Sequence, residues 1–266
     1  MAPTHGYWGK QTSTVDWCED NYVVSYYIAE FWNTLSNAVI IIAPLFMLIV
    51  GWRQKIETRF IYSFFAMTAI GLGSWLFHMT LRYSMQLLDE VPMLWASTCF
   101  IYLTLMVKGK PNIENKKLQA ALFTMCTIVT LMHILINLPV FFQVVYGVLN
   151  VIVIFLLFKI ALTMECNKAL YMLGFLCYLV GFILWNVDNL YCHKLKSLKV
   201  AQTTGMLFEC HAWWHIFSGI GAYLGFLFLL HTRYVFLKKK PVIQLVFEFW
   251  PYVITDTTEN NNKINM

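Results

Sequence analysis

The sequence predicts an all-α membrane protein, a bundle of seven transmembrane helices with its N-terminus luminal or extracellular and its C-terminus cytosolic. Three observations carry this. Of the 266 residues, 59% are hydrophobic and 12% charged, against about 25% charge in an ordinary soluble domain. One soluble domain could not hide so much apolar surface, so the bilayer is the solvent. The apolar residues gather into seven runs, each near the roughly 20 residues that cross the hydrocarbon layer as a helix. Basic residues collect in alternate connections, the asymmetry that orients membrane proteins.

The runs lie at about 30–50, 60–81, 88–107, 118–137, 140–159, 169–190 and 212–236. Their connections are short. The fourth and fifth are parted by Asn137, Leu138 and Pro139, and the proline discourages helix in the residue before it. An odd number of crossings puts the termini on opposite sides. The loops 51–59, 108–117 and 160–168 share one side with the tail after 237, and this side holds most of the 19 Lys and Arg. It is therefore the cytosolic one. Residues 1–27 are polar and aromatic, with no cleavable signal, so the first helix acts as its own insertion signal.

The chain divides into a luminal segment, 1–29, a helical domain, 30–236, and a cytosolic tail, 237–266. In the tail, 237–252 mixes lysines with large apolar groups and is expected at the membrane interface. Residues 255–266 are polar and expected to be disordered. The net charge of +5 is modest, and no basic stripe with interleaved aromatics appears. Nucleic acid is excluded as a partner on that ground, and no protein partner is evident.

Against this frame the ionisable residues stand out, because such groups at membrane depth are costly and kept for function. His211 and His215 are four apart and stack on one helical face. His78 ends the second run, at the same luminal depth as the start of the seventh. Three imidazoles from two helices can thus converge, and three His with one open position is the ligand set of a catalytic zinc. Ser74 lies four residues before His78 on the same face, and Asp89 opens the third run across a short loop. A carboxylate there can take a proton from water, and a serine hydroxyl can stabilise an oxyanion. Cys210, next to His211, points to another face. A polar layer that merely glues helices accounts for Ser74 and one histidine, but poorly for three His and an Asp. A bis-His haem site needs histidines on facing helices. His5, His133, His193 and His231 show no such convergence.

Residues 16–30 read DWCEDNYVVSYYIAE. Asp16, Glu19, Asp20, Asn21 and Glu30 offer the hard oxygens that Ca²⁺ takes, without the EF-hand pattern. Spacing alone leaves a calcium site and a solvated acidic loop both open. Cys18 and Cys192 share the luminal, oxidising face; a disulfide between them and two free thiols are both open. Cys99, Cys126, Cys166 and Cys177 read as buried thiols. The run Trp185-Asn186-Val187-Asp188-Asn189 closes the sixth helix on the same side, which makes Asn186 and Asp188 supporting residues for one cluster or the other.

Read in order, GYWG, TSTVDWCEDNY, IAEFWNTLSN, GLGSWLFHMTL, MQLLDEVPM, WNVDN and HAWWHI together resemble the alkaline ceramidases over about residues 6–251. The resemblance implies hydrolysis of ceramide to a sphingoid base and a free fatty acid in endoplasmic reticulum and Golgi membranes, with ceramide and membrane lipid as the partners. Carried onto this chain, it makes His78, His211 and His215 the ligands of Zn²⁺, Ser74 a catalytic neighbour and Asp89 the acid–base residue. It maps a Ca²⁺ site onto Asp16, Glu19, Asn21, Glu30 and the backbone carbonyl of Trp17. A Cys18–Cys192 bridge also fits the family. The wider superfamily includes the adiponectin receptors, which share seven helices and a three-His zinc site, so a receptor is the alternative reading. A metal transporter would need further ligands along the cytosolic halves, which show none. Acyl-chain length, and the choice among ceramide, dihydroceramide and phytoceramide, depend on pocket shape.

Overall fold

The structure is a computed structural model that describes residues 5–111, 113–198 and 206–255. The expectation of disorder at 255–266 falls, apart from Thr255, outside the described residues. Helices dominate: α1 (Phe31–Ser36), α2 (Ala38–Arg53), α3 (Thr58–Thr80), α4 (Tyr83–Leu105), α5 (Lys116–Ile136), α6 (Pro139–Thr163), α7 (Lys168–Leu198) and α8 (Cys210–Phe236). Asn37 between α1 and α2 keeps right-handed helical angles (φ −64°, ψ −15°), so the two continue as one rod, Phe31–Arg53. Six helices are long and apolar enough to cross a membrane: that rod, α3, α5, α6, α7 and α8. The remaining long helix, α4, matches α3 at 23 residues but carries Gln86, Asp89 and Glu90 among its apolar side chains.

Several boundaries differ from the hydropathy reading. α4 starts five residues before the apolar run, so Asp89 lies in its second turn rather than at its opening. α7 continues past the apolar run to Leu198, through a kink at Tyr191 (φ −121°, ψ 19°). In both places the extra turns are polar, and hydropathy marks the apolar slab rather than the end of the hydrogen-bonded helix. The sequence reading anticipated no strand, yet the tail forms an antiparallel hairpin, β1 (Pro241–Val246) with β2 (Trp250–Thr255). Phe247 and Glu248 turn it with positive φ angles. It folds back along α8: the Tyr223 hydroxyl donates to Pro251 O at 2.8 Å, and Val253 is fully buried.

α8 is the axis of the bundle, buried along most of its length. α5 lies outermost, with only Cys126 and His133 enclosed among its described residues. α7 meets α8 through small residues. A Cβ added at Gly221 would lie 2.7 Å from Tyr178 N, the close backbone approach that packs helices in lipid. Gly73 does the same between α3 and α4, where a Cβ would lie 1.9 Å from Leu88 O. That approach sets Ser74 and Asp89, the next residues on each helix, against one another.

Candidate metal centre

α3 ends at Leu81 in the left-handed conformation (φ 50°), leaving carbonyls that need donors. The N-terminal segment supplies them. Thr12 N and Ser13 N both donate to Leu81 O at 3.1 Å, Ala29 N to Met79 O at 3.0 Å, and Glu30 N to His78 O at 3.0 Å. This stitching brings the Glu30 carboxylate to the His78 ring, Oε2 to Nδ1 at 2.5 Å. His78 and Glu30 are both fully buried.

His78, His211 and His215 converge, each offering one ring nitrogen within 4.8 Å of the others. Their neighbours decide which nitrogens are bare. His78 Nδ1 faces Glu30, and His78 Nε2 is buried without a partner. His215 Nδ1 lies 3.1 Å from Asn33 O and 2.9 Å from Ser36 Oγ. The carbonyl can only accept, so the proton sits on Nδ1 and the Nε2 lone pair is left exposed to the centre. His211 Nδ1 is buried without a partner. Bare imidazole nitrogens whose opposite edges are held by carboxylate or carbonyl are what a bound metal requires. The residues present therefore fit a metal ion.

Ser74 is buried, and the close approach of α3 and α4 at Gly73 and Leu88 sets it beside Asp89. Both line an open-sided cavity together with Trp17, His211 and His215. Below this polar head the walls are Met67, Ile70, Met93, Ile154, Phe175 and Leu179. One polar belt crosses them: Tyr178 Oη donates to Asn150 Oδ1 at 2.8 Å and lies 3.3 Å from Tyr146 Oη. A second cavity continues downward to Phe100, Leu157 and Phe228. The arrangement offers a polar reaction site at the head of an apolar slot deep enough for hydrocarbon chains.

The acidic segment lies directly over this site. Glu19 accepts from Trp32 N (2.7 Å) and Asn33 N (2.8 Å), capping α1 from outside it. Glu30 Oε1 accepts from Trp17 N at 3.3 Å, and Oε2 from Asn33 Nδ2 at 3.1 Å. Asn21 Nδ2 reaches Asp16 Oδ1 at 3.4 Å, while Asn21 Oδ1 is buried without a partner. Burial raises the Asp16 carboxyl above its usual range, and burial followed by the Glu30 charge pushes Glu19 up to about 9. Crowded oxygens with one orphan acceptor fit a hard cation. Asp20 instead faces Lys196 Nζ at 2.6 Å, with both side chains well exposed.

Trp17 links the two clusters: its indole stacks on His211 with centroids 3.7 Å apart and planes 19° from parallel. Cys18 and Cys192 form a disulfide with Cα atoms 5.2 Å apart. Asp188 accepts from Cys18 N through Oδ2 and from His211 N through Oδ1, both at 3.1 Å. It braces the segment and the start of α8 at once. Asn186 is placed elsewhere, its Nδ2 donating to Phe182 O in its own helix. The sequence reading passed over the Trp17 ring, the Glu30–His78 contact and the Tyr146–Tyr178–Asn150 belt. Polar groups inside apolar runs are the only trace of the belt in the sequence.

Comparison with known proteins follows the same line. The family model described as Ceramidase matches residues 9–254. Alkaline ceramidase 3 of Mus musculus is 42% identical over 260 residues, covering 96% of this chain and 97% of its own length. Alkaline ceramidase YPC1 of Saccharomyces cerevisiae is 35% identical over 268 residues, 92% of this chain and 84% of its own. An alkaline ceramidase of Arabidopsis thaliana is 29% identical over 250 residues, 93% and 94% respectively.

Proposed function

The chain belongs to the ceramidase family and is an amide hydrolase; from that premise we propose that it cleaves ceramide, phytoceramide and dihydroceramide included, to a sphingoid base and a free fatty acid. The observation that carries the reading is the convergence of three imidazoles with Ser74 and Asp89 at the head of an apolar cavity. His78, His211 and His215 hold zinc in this reading. When bound there, zinc supplies a Lewis acid for the amide carbonyl and lowers the pKa of water.

The chain's own residues do the rest. Asp89, positioned by Ser74, accepts the proton of the attacking water and returns it to the leaving nitrogen. The Ser74 hydroxyl donates to the oxygen that gains charge. Glu30 holds the Nδ1 proton of His78, which fixes the tautomer and raises the basicity of Nε2. Asp16, Glu19, Asn21, Glu30 and the Trp17 carbonyl are the oxygens that would hold calcium, whose charge would offset the buried acids beside the Trp17–His211 stack. With the segment lying over the polar head, the lipid enters sideways between helices.

In this reading the bundle crosses the membrane seven times, with α4 as the seventh crossing. Gln86 and Glu90 support that placement, since α4 buries both inside the bundle. The alternating basic loops put the N-terminus in the lumen and the C-terminus in the cytosol, in endoplasmic reticulum and Golgi membranes. Purified protein incubated with ceramide, zinc and calcium tests the proposal. Release of equimolar sphingoid base and fatty acid is expected; intact ceramide with a folded, zinc-loaded sample sinks it.

A further inference from the structure

A buried polar chain beside the metal centre has no part in the reaction as described. It runs from the N-terminal segment through α4 to α5. Thr14 N donates to Gln86 Oε1 at 2.8 Å. That donor fixes the amide's orientation, so Gln86 Nε2 faces Thr14 Oγ1 at 2.8 Å and Glu90 Oε1 at 3.0 Å. The other Glu90 oxygen, Oε2, lies 2.8 Å from His133 Nε2. Gln86, Glu90 and His133 are only 1%, 6% and 3% exposed. His133 Nδ1 is buried without a partner. The carboxylate oxygen can only accept, so Nε2 is the donor in this contact.

The Glu90 side chain is thus held by Gln86 Nε2 and His133 Nε2, and among the described residues its one ion-pair contact is His133. A carboxylate at that depth is costly unless its capacity is used. Each oxygen accepts up to two hydrogen bonds, and Gln86 and His133 occupy one on each. Glu90 also lines the same cavity as Asp89 and Ser74. Consecutive helical residues diverge by about 100°, so Asp89 and Glu90 address neighbouring points along the cavity rather than the same atom. In a ceramide the primary hydroxyl oxygen lies three bonds from the amide nitrogen.

We propose that Glu90 is a specificity-determining residue that accepts a hydrogen bond from the primary hydroxyl of the sphingoid half, with Gln86 and His133 as positioning residues. The inference rests on the hydrolase reading. It also orients the lipid: the hydroxyl-bearing half lies toward α4 and α5, and the plain acyl half takes the other side of the cavity.

The test compares kcat/KM on a ceramide and on its analogue lacking the primary hydroxyl, with the same chains. Wild-type protein is expected to favour the hydroxylated lipid by at least about tenfold, the weight of one charge-assisted hydrogen bond. Glu90→Gln keeps the shape, removes the charge and is expected to shrink that preference below about threefold. His133→Leu, which unseats the carboxylate, is expected to shrink it as well, mainly through KM for the hydroxylated lipid. A purely structural role would lower both substrates alike and leave the ratio intact, which overturns the proposal. So does a wild-type ratio near one, even where neither variant folds. Failure of the wild-type protein to cleave either lipid is a different result, and it removes the hydrolase reading itself.

Discussion

At its two ends α8 buries polar side chains of opposite character, Arg233 at one and His211 with His215 at the other. Arg233 is fully buried. Its Nε donates to Glu57 Oε1 at 2.7 Å and Nη2 to Glu57 Oε2 at 3.2 Å, while Nη1 reaches Val107 O at 2.9 Å and Gly109 O at 2.6 Å. Every nitrogen of that guanidinium is spent on the fold, pinning the starts and ends of three long helices together. At the histidine end, His78 Nε2, His211 Nδ1 and Asn21 Oδ1 are buried and bare. Buried polar atoms are normally satisfied from within. A guanidinium with every nitrogen paired is a clamp, whereas imidazoles that converge with buried, unpaired nitrogens are made for something bound.

The largest effect that could break this contrast is loss of one of the three converging imidazoles. His211→Ala is expected to cut ceramide turnover by a factor on the order of 10³ or more and to lower bound zinc, while helix content holds. Elemental analysis beside a sphingoid-base assay reads both, and near-normal turnover in the metal-poor variant would undo the distinction. Next comes the other end. Arg233→Ala should cost about 3–5 kcal/mol of stability, because it empties a fully buried site, breaks the pair with Glu57 and leaves Val107 O and Gly109 O without their donor, yet leave zinc stoichiometry unchanged. Unfolding in detergent measures the first and metal analysis the second; an Arg233 variant that loses zinc before it loses stability would show that the ends are not separate.

Glu30→Gln sharpens the comparison at the boundary between the two acidic and histidine clusters. With the carboxylate gone from His78 Nδ1, zinc affinity should fall about 10–100-fold, read by competition with a chelator. The smallest expected effect is a pH trend. Glu19 titrates at about 9 in the folded chain against 4.5 ordinarily, so the fold retains a proton that the unfolded chain releases between those values. Stability of the calcium-free protein should therefore decline as pH rises from about 4.5 to about 9. Calcium should restore more stability at pH 9 than at pH 5; an equal calcium effect at both would count against Glu19 as a ligand.

Much of this was legible beforehand, for physical reasons that can be named. Hydropathy found the helices because lipid demands continuous apolar runs, and the spacing of His211 and His215 put both rings on one face. Depth, inferred from topology, brought His78 to them. The same hydropathy could not find the last turns of α7, whose residues after Tyr191 are polar, nor the hairpin, whose short alternation follows three lysines. Glu30 and His78 are 48 positions apart, and no local pattern reports their contact. His133 was set aside because no other histidine joins it. Its partner is a carboxylate, Glu90, and an acid and a base in separate apolar runs give no spacing to read.

The cross-link over the histidine cluster has a consequence for how the molecule is made. Cys192 follows Cys18 by 174 residues, so the covering segment waits for nearly the whole polypeptide before it can be fastened. A host that keeps thiols reduced would insert every helix and still deliver protein whose cover is untied. Recombinant preparations are therefore best judged by their free-thiol count before any catalytic figure is taken from them.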